Sequence, residues 1–257
     1  MMQSAVISAN VRKVVIELLR YLPNTISLII TFYVIFLAMF LGISVVGDPA
    51  TVEANLRFAI VGNAFWFLLL LGVSSMGWEL TTEATRGTLE QLAMSPVGMT
   101  RILFARMLGT LGVHLLITIG MLTLTMLTAG QWLSFDVPLL VAVLAPTFVS
   151  VVGLGYMVAG LALVYKQISA LLQVMQFVFL AFAFVPLSVA PWLELAPVVK
   201  GIDMVRLGLV DGATLASFGA RDWVSLLVNG VVYLTLGLLA FWLAERRAVN
   251  RGLLGQY

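Results

Sequence analysis

Cysteine is missing from this 257-residue sequence, and histidine occurs once, at His114. The chain therefore lacks the side chains for disulfides, thiolate catalysis, zinc sites, iron–sulfur clusters and most haem ligation. Charged residues are also scarce, at 10%, whereas 61% of the residues are hydrophobic and the mean hydropathy is +1.09. Soluble domains are roughly a quarter charged, so the composition predicts an integral membrane protein. The formal charge of +2 is too small to favour nucleic acid as a partner.

The dipeptide Gly-Lys is absent as well, because the three lysines follow Arg12, Tyr165 and Val199. A phosphate-binding P-loop needs Gly-Lys before Ser or Thr, since the lysine neutralises phosphate charge while backbone amides surround it. We therefore expect no ATP hydrolysis by this route, no catalytic residue and no cofactor in this chain. The metal-ligand types are too sparse to predict a metal site.

Long apolar runs dominate the sequence. A helix that crosses a bilayer needs roughly 20 apolar residues, and each run suffices for one crossing. We predict an all-α fold with six spans rather than a barrel, whose strands would alternate in segments of about ten residues. The runs cover 21–47, 58–78, 107–135, 137–165, 167–193 and 223–244.

The placement of lysine and arginine predicts the orientation of these spans. An even number of spans puts both termini on one side of the membrane, together with the connection at 79–106. Ten of the 14 basic residues fall on that side, and four (Arg57, Lys200, Arg206 and Arg221) fall on the other. Because basic residues are enriched in cytoplasmic loops, we expect a multi-pass protein of the cytoplasmic membrane with both termini in the cytoplasm.

Two segments outside the spans are predicted to lie at the membrane surface. In residues 1–22, apolar side chains recur every three or four positions, which is typical of an amphipathic interfacial helix. At the other face, residues 191–221 alternate apolar and charged side chains and contain Pro197 and Gly212. We expect short helices there that cap the outer leaflet, within a single transmembrane domain covering the chain.

The charged segment at 79–97, between the second and third spans, carries helix start and stop signals. Gly87 is suited to ending a helix, and Thr88 with Gln91 fits a capping box that starts another. Leu89 and Leu92 then form an apolar edge, and Ser95-Pro96 is suited to opening the next helix. These signals predict two short helices joined at Gly87. An ordinary solvated loop is the alternative to a protein-docking segment.

The run Glu83–Leu92 (E-A-T-R-G-T-L-E-Q-L), followed by Ser95-Pro96, resembles the signature of the type-2 ATP-binding-cassette exporter permeases. Pro197, Arg206 and Gly212 resemble that family's positions after the fifth span, so the likeness covers essentially the whole chain. It implies a dimer of permease chains, most simply a homodimer, driven by two copies of a cytoplasmic ATPase that binds the ATP and Mg²⁺. It also implies that this region is a coupling helix, with contacts from Glu83, Arg86, Gly87, Thr88, Leu89, Glu90, Leu92 and Pro96.

Several residues within the spans are candidates for a translocation path or a dimer interface. They are His114, Gln173, Gln176, Phe32 and Phe36. A structural histidine near the cytoplasmic end of its span is the alternative for His114. Hydrogen bonding between helices is the alternative for the two glutamines, and contact with lipid or core is the alternative for the aromatic rings. Small residues at Gly153, Gly155, Ala159 and Gly160 predict close helix packing.

Together these features favour the transmembrane subunit of an ATP-driven exporter of an amphipathic substrate, such as a drug, a lipid or a lipid-linked glycan. An ion-coupled secondary transporter is the alternative, although it would need carboxylates or broken helices near the midplane. A membrane-embedded enzyme would need a base beside a nucleophile at one depth, and the polar groups of the spans do not provide that pair.

Overall fold

The computed structural model describes Ile16, Arg20 and residues 22–252. The amphipathic helix predicted for 1–22 therefore lies almost entirely outside the described residues. The described part contains helices and no strand. The α-helices are α1 (Leu22–Val46), α2 (Val52–Thr85), α3 (Leu89–Ala93), α4 (Met99–Ala129), α5 (Val137–Tyr165), α6 (Ser169–Phe184), α7 (Val199–Asp211) and α8 (Ala220–Asn250), and two 3₁₀ helices cover Pro191–Leu195 and Leu215–Ser217.

Among the described residues, five helices are long and apolar enough to cross a membrane, namely α1, α2, α4, α5 and α8. The predicted span at 167–193 is broken in the structure. Its helix, α6, has 16 residues, which is about 24 Å of helix against a hydrocarbon core of about 30 Å. The break follows from Pro186, since the preceding Val185 takes an extended conformation and ends the helix.

Helix α2 is the centre of the bundle. Of its most apolar stretch, 78% is buried, compared with 11% for α1. It packs against α1, α4, α5, α6 and α7. With 34 residues it is about 51 Å long, which is well beyond the thickness of the hydrocarbon core. Its last turns, with Glu79 and Glu83, therefore lie outside the hydrocarbon core.

Helices α5 and α8 approach each other closely because glycines replace side chains at their crossing. A Cβ placed on Gly153 would lie 2.2 Å from the carbonyl oxygen of Tyr233, and one on Gly237 would lie 2.0 Å from that of Gly153. Gly160 similarly faces Phe241 and Ala244 of α8. The predicted close helix packing is confirmed for Gly153 and Gly160 against α8, and for Gly155 against methionines on α2 and α4.

At the face opposite α3, α7 is inserted into the bundle rather than laid on its surface. Nine of its residues are buried, and it contacts α2, α5, α6 and α8. The residue before α7, Val198, has a φ of +66°. This left-handed conformation is unfavourable for a β-branched residue. The residue after α7, Gly212, has a φ of +70°, and glycine adopts this left-handed conformation without strain.

Candidate functional site

The segment between α2 and α4 forms the most sharply defined exposed feature of its face of the bundle. Helix α2 continues to Thr85, so the two short helices predicted here are one, the five-residue α3. Gly87 ends α2 with a φ of +69°. The amide of Thr88 donates to the carbonyl of Glu83 at 3.0 Å, and that of Gly87 donates to Ala84 at 3.0 Å. This pair of bonds is the Schellman pattern, which satisfies the last carbonyls of a helix.

Thr88 precedes α3 as predicted, but the predicted capping box with Gln91 is wrong. The Thr88 side chain makes no cap bond to α3. It donates instead to the carboxylate of Glu83, and it lies 3.2 Å from the Glu83 carbonyl oxygen. A carboxylate is a stronger acceptor for a hydroxyl than a neutral group, so the hydroxyl fastens α3 to the end of α2.

The expectation for Ser95-Pro96 also needs correction, because these residues do not open the next helix. They form a turn, in which the amide of Gly98 donates to the carbonyl of Ser95 at 3.0 Å. Helix α4 begins at Met99, with Gly98 before it at a φ of +82°. Pro96 occupies the second turn position, where its fixed φ is favourable, and it is exposed.

Arg106 of α4 joins the ends of α2 and α4 through a bifurcated ion pair. Its Nη1 atom lies 2.8 Å from Oε2 of Glu79 and 2.9 Å from Oε1 of Glu83. The three side chains are 16%, 23% and 15% exposed, respectively. Two carboxylates four residues apart share one helix face, and together they need a buried cation. With Thr88, these residues form a continuous polar network, which we call the brace.

The sequence interpretation missed the brace, although a signal for it exists. Glu79 and Glu83 follow an apolar span at helical spacing, and Arg106 stands at the same end of the next apolar span. Because a partly buried charge is stable only when it is paired, two such carboxylates predict a cation at equal depth on a neighbouring helix. Arg106 is closer in sequence to the apolar run than Arg101, which is exposed.

The eight residues predicted to couple the chain to an ATPase separate into three groups. Leu89 and Leu92 are buried, at 2% and 9% exposure, and they anchor α3 to the core. Glu83 and Thr88 belong to the brace. The group that remains exposed comprises Arg86, Gly87, Glu90 and Pro96. Leu89 and Leu92 would therefore act in coupling by anchoring α3, and their coupling role stays a prediction.

Met94 is an exposed residue that the sequence interpretation did not select. Its side chain is 76% exposed at the end of α3, beside the exposed Glu90 and Gln91. An apolar tip surrounded by polar groups is typical of a contact with another protein, because methionine adapts its shape to the surface it meets. We call Arg86, Glu90, Gln91, Met94 and Pro96 the α3 face.

A second charged cluster lies at the opposite face of the bundle. Nζ of Lys200 lies 2.7 Å from Asp222 and 3.4 Å from Glu194. Burial by itself lowers the pKa of Lys200, but the hydrogen bond and charge of Asp222, together with Glu194, outweigh it, so that the pKa is raised. Burial also raises the pKa of Asp203, against the opposing charges of Arg206 and Lys200.

Arg206, one of the positions carried by the resemblance, fixes α7 beneath the end of α6. Its guanidinium donates to the carbonyl of Ala183 and lies 3.9 Å from the centre of the Phe58 ring. A cation at the last carbonyls of a helix is favourable. Burial lowers the pKa of Arg206 to about 10, although the Asp203 carboxylate partly offsets this.

The chain around Pro197 is held by α8. The Asn229 amide donates to the Ala196 carbonyl at 2.9 Å, and its oxygen accepts from the amide of Val198 at 3.4 Å. One turn further, the Tyr233 hydroxyl donates to the Leu195 carbonyl at 3.0 Å. Asn229 and Tyr233 were not predicted, and their spacing of four residues within an apolar span is the signal that they share a face.

The polar candidates within the spans do not converge on one site. His114 lies on α4, and its Nδ1 atom is buried without a hydrogen-bond partner among the described residues. Gln173 is exposed on α6. Gln176 is partly buried, and its backbone carbonyl accepts a bond from Trp66 at 3.1 Å.

Phe32 and Phe36 are core residues, in agreement with the alternative that these rings contact the core. They are 4% and 0% exposed. The Phe32 ring packs edge-on against Trp66 and Phe67, with centroids 5.0 Å and 4.8 Å apart. In this conformation neither ring is exposed, and their assignment to a path or a dimer interface stays a prediction.

In the part of the chain that the structure describes, no three histidine, aspartate or glutamate side chains gather closely enough to hold a metal ion. No family model matches the sequence, and no curated protein matches it. What the fold itself defines is an all-helical, multi-pass membrane protein with a braced polar segment at one face.

Proposed function

We propose that this protein is the transmembrane subunit of an ATP-driven exporter of the type-2 ATP-binding-cassette kind. In this proposal it has six spans, with α6 as the short fifth. Both termini and the α3 face are in the cytoplasm, and the protein moves an amphipathic substrate such as a drug, a lipid or a lipid-linked glycan. The ATP and Mg²⁺ are bound by two copies of a separate ATPase subunit.

The observation that carries the proposal is the combination of the α3 face with the brace. Helix α3 is too short to be stable alone, yet Leu89 and Leu92 fix it to the core and Thr88 fixes it to α2. Glu90 and Gln91 of α3 are exposed, as is Met94 directly after the helix. A solvated loop would not need such anchoring, whereas a segment that transmits force to the bundle would.

The brace defines how such a force would reach the spans. Arg106 connects α4 to two successive turns of α2 through Glu79 and Glu83, and α2 contacts most of the bundle. When ATP closes the two ATPase subunits, a displacement of α3 is passed to α2 and α4 together. The gap between these helices and their neighbours then changes, which opens a path for the substrate.

A dimer is part of the proposal because of Gln173. This amide is exposed on α6, where the neighbouring Val174 and Phe177 are 62% and 69% exposed. A polar amide facing lipid lacks hydrogen-bond partners, and a second helix can supply them. We therefore place the second protomer, most simply another copy of this chain, against this face of α6.

Site-specific cross-linking tests the proposal, because a chain without cysteine gives a single reactive thiol in each variant. In native membranes, Met94→Cys should cross-link to a protein that contains a P-loop, and the yield should change when ATP is added. Trp192→Cys, which is 72% exposed at the opposite face, is the matched control and should not give this product. The proposal fails if transport proceeds unchanged after every such ATPase has been removed.

A further inference from the structure

A cavity with a volume of about 260 Å³ lies between α2, α4, α5 and α7, away from the brace and the α3 face. Its walls include Ala64 and Phe65 of α2, Leu115 of α4 and Leu144 of α5, while Val205 of α7 closes one end. In comparison, an apolar cavity of about 150 Å³ in a protein interior already accepts benzene. This cavity is therefore large enough for an extended hydrocarbon segment.

The walls of the cavity offer too few hydrogen-bond partners to hold water. Thr118 is the one polar residue among those that line it, and its hydroxyl already donates to the carbonyl of His114 at 2.7 Å. A buried water usually makes 2–4 hydrogen bonds, and this lining cannot supply them. The natural occupant is consequently apolar.

Helices α4 and α5 do not pack closely against each other, and exposed lining residues stand at this gap, so we infer that the cavity opens there. At the opening, Ile119 and Phe135 are each 52% exposed. The adjoining surface is also apolar and exposed, with Leu116 at 70% and Val141 at 64%. Because these helices are suited to spanning a membrane, the molecules that meet the opening are the acyl chains of lipids.

We propose that the cavity is a binding site for one acyl chain of a membrane phospholipid. The driving force is packing: an empty cavity leaves its wall atoms without dispersion partners, and a flexible hydrocarbon chain can fill it. This inference depends only on the membrane placement of the helices. It is independent of any ATPase, so it can fail while the proposed function stands.

Arg57 sets the direction in which the lipid lies. It precedes Val61, a lining residue, by one helical turn of α2, and therefore stands on the same face above the cavity. Its Nη2 donates to Glu53 at 2.6 Å and its Nε to Gln131 at 3.1 Å. A guanidinium has five donors, so the remaining ones are suited to the phosphate of the headgroup, while the chain extends toward Leu115.

Photo-cross-linking tests the site. The full chain would be reconstituted in nanodiscs of phosphatidylcholine that carries a diazirine near the middle of one acyl chain. After irradiation, the modified peptides would be mapped by mass spectrometry. We expect adducts concentrated at 115–122 and 140–144. Adducts that are no more frequent there than on the exposed face of α8 would overturn the proposal.

Filling variants separate a specific site from general lipid contact. Ala64→Phe places a ring in the cavity and should reduce the adducts at 115–122 to the level of the α8 face. The control, Val231→Phe, adds the same ring at a position that is 62% exposed on α8 and should leave them unchanged. Leu144→Trp fills the cavity from α5 and provides the same comparison if Ala64→Phe does not fold. Adducts that persist in a folded filling variant would contradict the assignment.

Discussion

Arg106 of α4 and Glu83 of α2 form a 2.9 Å ion pair in which both side chains are about 85% buried. The same guanidinium also pairs with Glu79, and the same carboxylate also accepts the Thr88 hydroxyl. One charge therefore links two long helices and the short helix between them. Since the partners lie 23 residues apart in sequence, the pair fixes the helix ends and not merely a local turn.

Removing the guanidinium should destabilise the protein strongly. Arg106→Leu leaves two carboxylates together in a partly buried site, and removing one partner of a buried ion pair costs about 3–5 kcal/mol. Thermal unfolding in detergent would measure the loss. Arg101→Leu is the matched control, because Arg101 lies on the same helix and is exposed, so its effect should stay within about 0.5 kcal/mol. Equal effects of the two variants would show that the brace contributes no special stability.

Charge reversal on the α3 face should affect coupling without affecting the fold. Glu90 is exposed, so Glu90→Lys should leave the melting temperature unchanged, while it weakens binding to the ATPase subunit by about tenfold in a salt-dependent way. Binding of the purified subunit to the reconstituted protein would be measured. Asp211→Lys, an exposed reversal at the opposite face, should change neither quantity. Weakened binding in both variants would indicate a general effect of charge.

A methyl group at the α5–α8 crossing should be costly. Gly153→Ala places a Cβ 2.2 Å from a backbone carbonyl of α8, and only separation of the two helices relieves the contact, so we expect a loss of about 3 kcal/mol. Unfolding by a denaturing detergent measures it. In Gly120→Ala the new Cβ has no atom within 4 Å, and a small gain of up to about 1 kcal/mol is expected from helix propensity. Similar results for both would contradict the close approach.

Lys200 should make stability sensitive to alkaline pH. Its folded pKa is raised above the ordinary 10.5 by Asp222 and Glu194, which outweigh burial. The stability it contributes is therefore fully present below that value and is lost as the pH rises through the higher folded pKa. The difference in melting temperature between the natural protein and Lys200→Met should stay constant from about pH 7 to 9 and shrink at higher pH.

The titration of Arg206 does not affect the comparison between the natural protein and Lys200→Met. Its pKa, lowered to about 10 by burial, changes stability in the opposite sense, but the residue is present in both proteins and its effect cancels in the difference. Asp222→Asn provides the control, because it removes the main group that raises the pKa of Lys200, and it should flatten the alkaline decline. A difference that is independent of pH would contradict the raised pKa.

The sequence was sufficient to predict the helical class, the long apolar helices and a helix end at Gly87, although not that α2 is the helix that ends there. Composition and the length of an apolar run determine whether a helix can span a bilayer, and a left-handed residue at a helix end has a strong preference for glycine. The closeness of α5 and α8 was also predictable, because Gly153 and Gly160 repeat at helical spacing on one face.

Features that depend on contacts between distant residues were not predicted. The hydroxyl of Thr88 donates to the Glu83 carboxylate and does not accept from the first amides of α3, and this depends on where Arg106 places that carboxylate. The end of α6 was missed for a different reason. Its signal, Val185 before Pro186, is local, but the run around it is apolar throughout and therefore predicted one continuous span. The inward placement of Phe32 depends on the positions of Trp66 and Phe67, which lie on the next helix along the chain.

The most direct test of the central claim is the accessibility of Met94→Cys to a maleimide that cannot cross membranes. We predict no labelling in intact cells, labelling in inside-out vesicles stripped of peripheral proteins, and protection when the ATPase subunit is restored. Trp192→Cys should show the reverse order, with labelling in intact cells. Labelling of Met94→Cys from outside intact cells would place the α3 face on the wrong side of the membrane and would contradict the account.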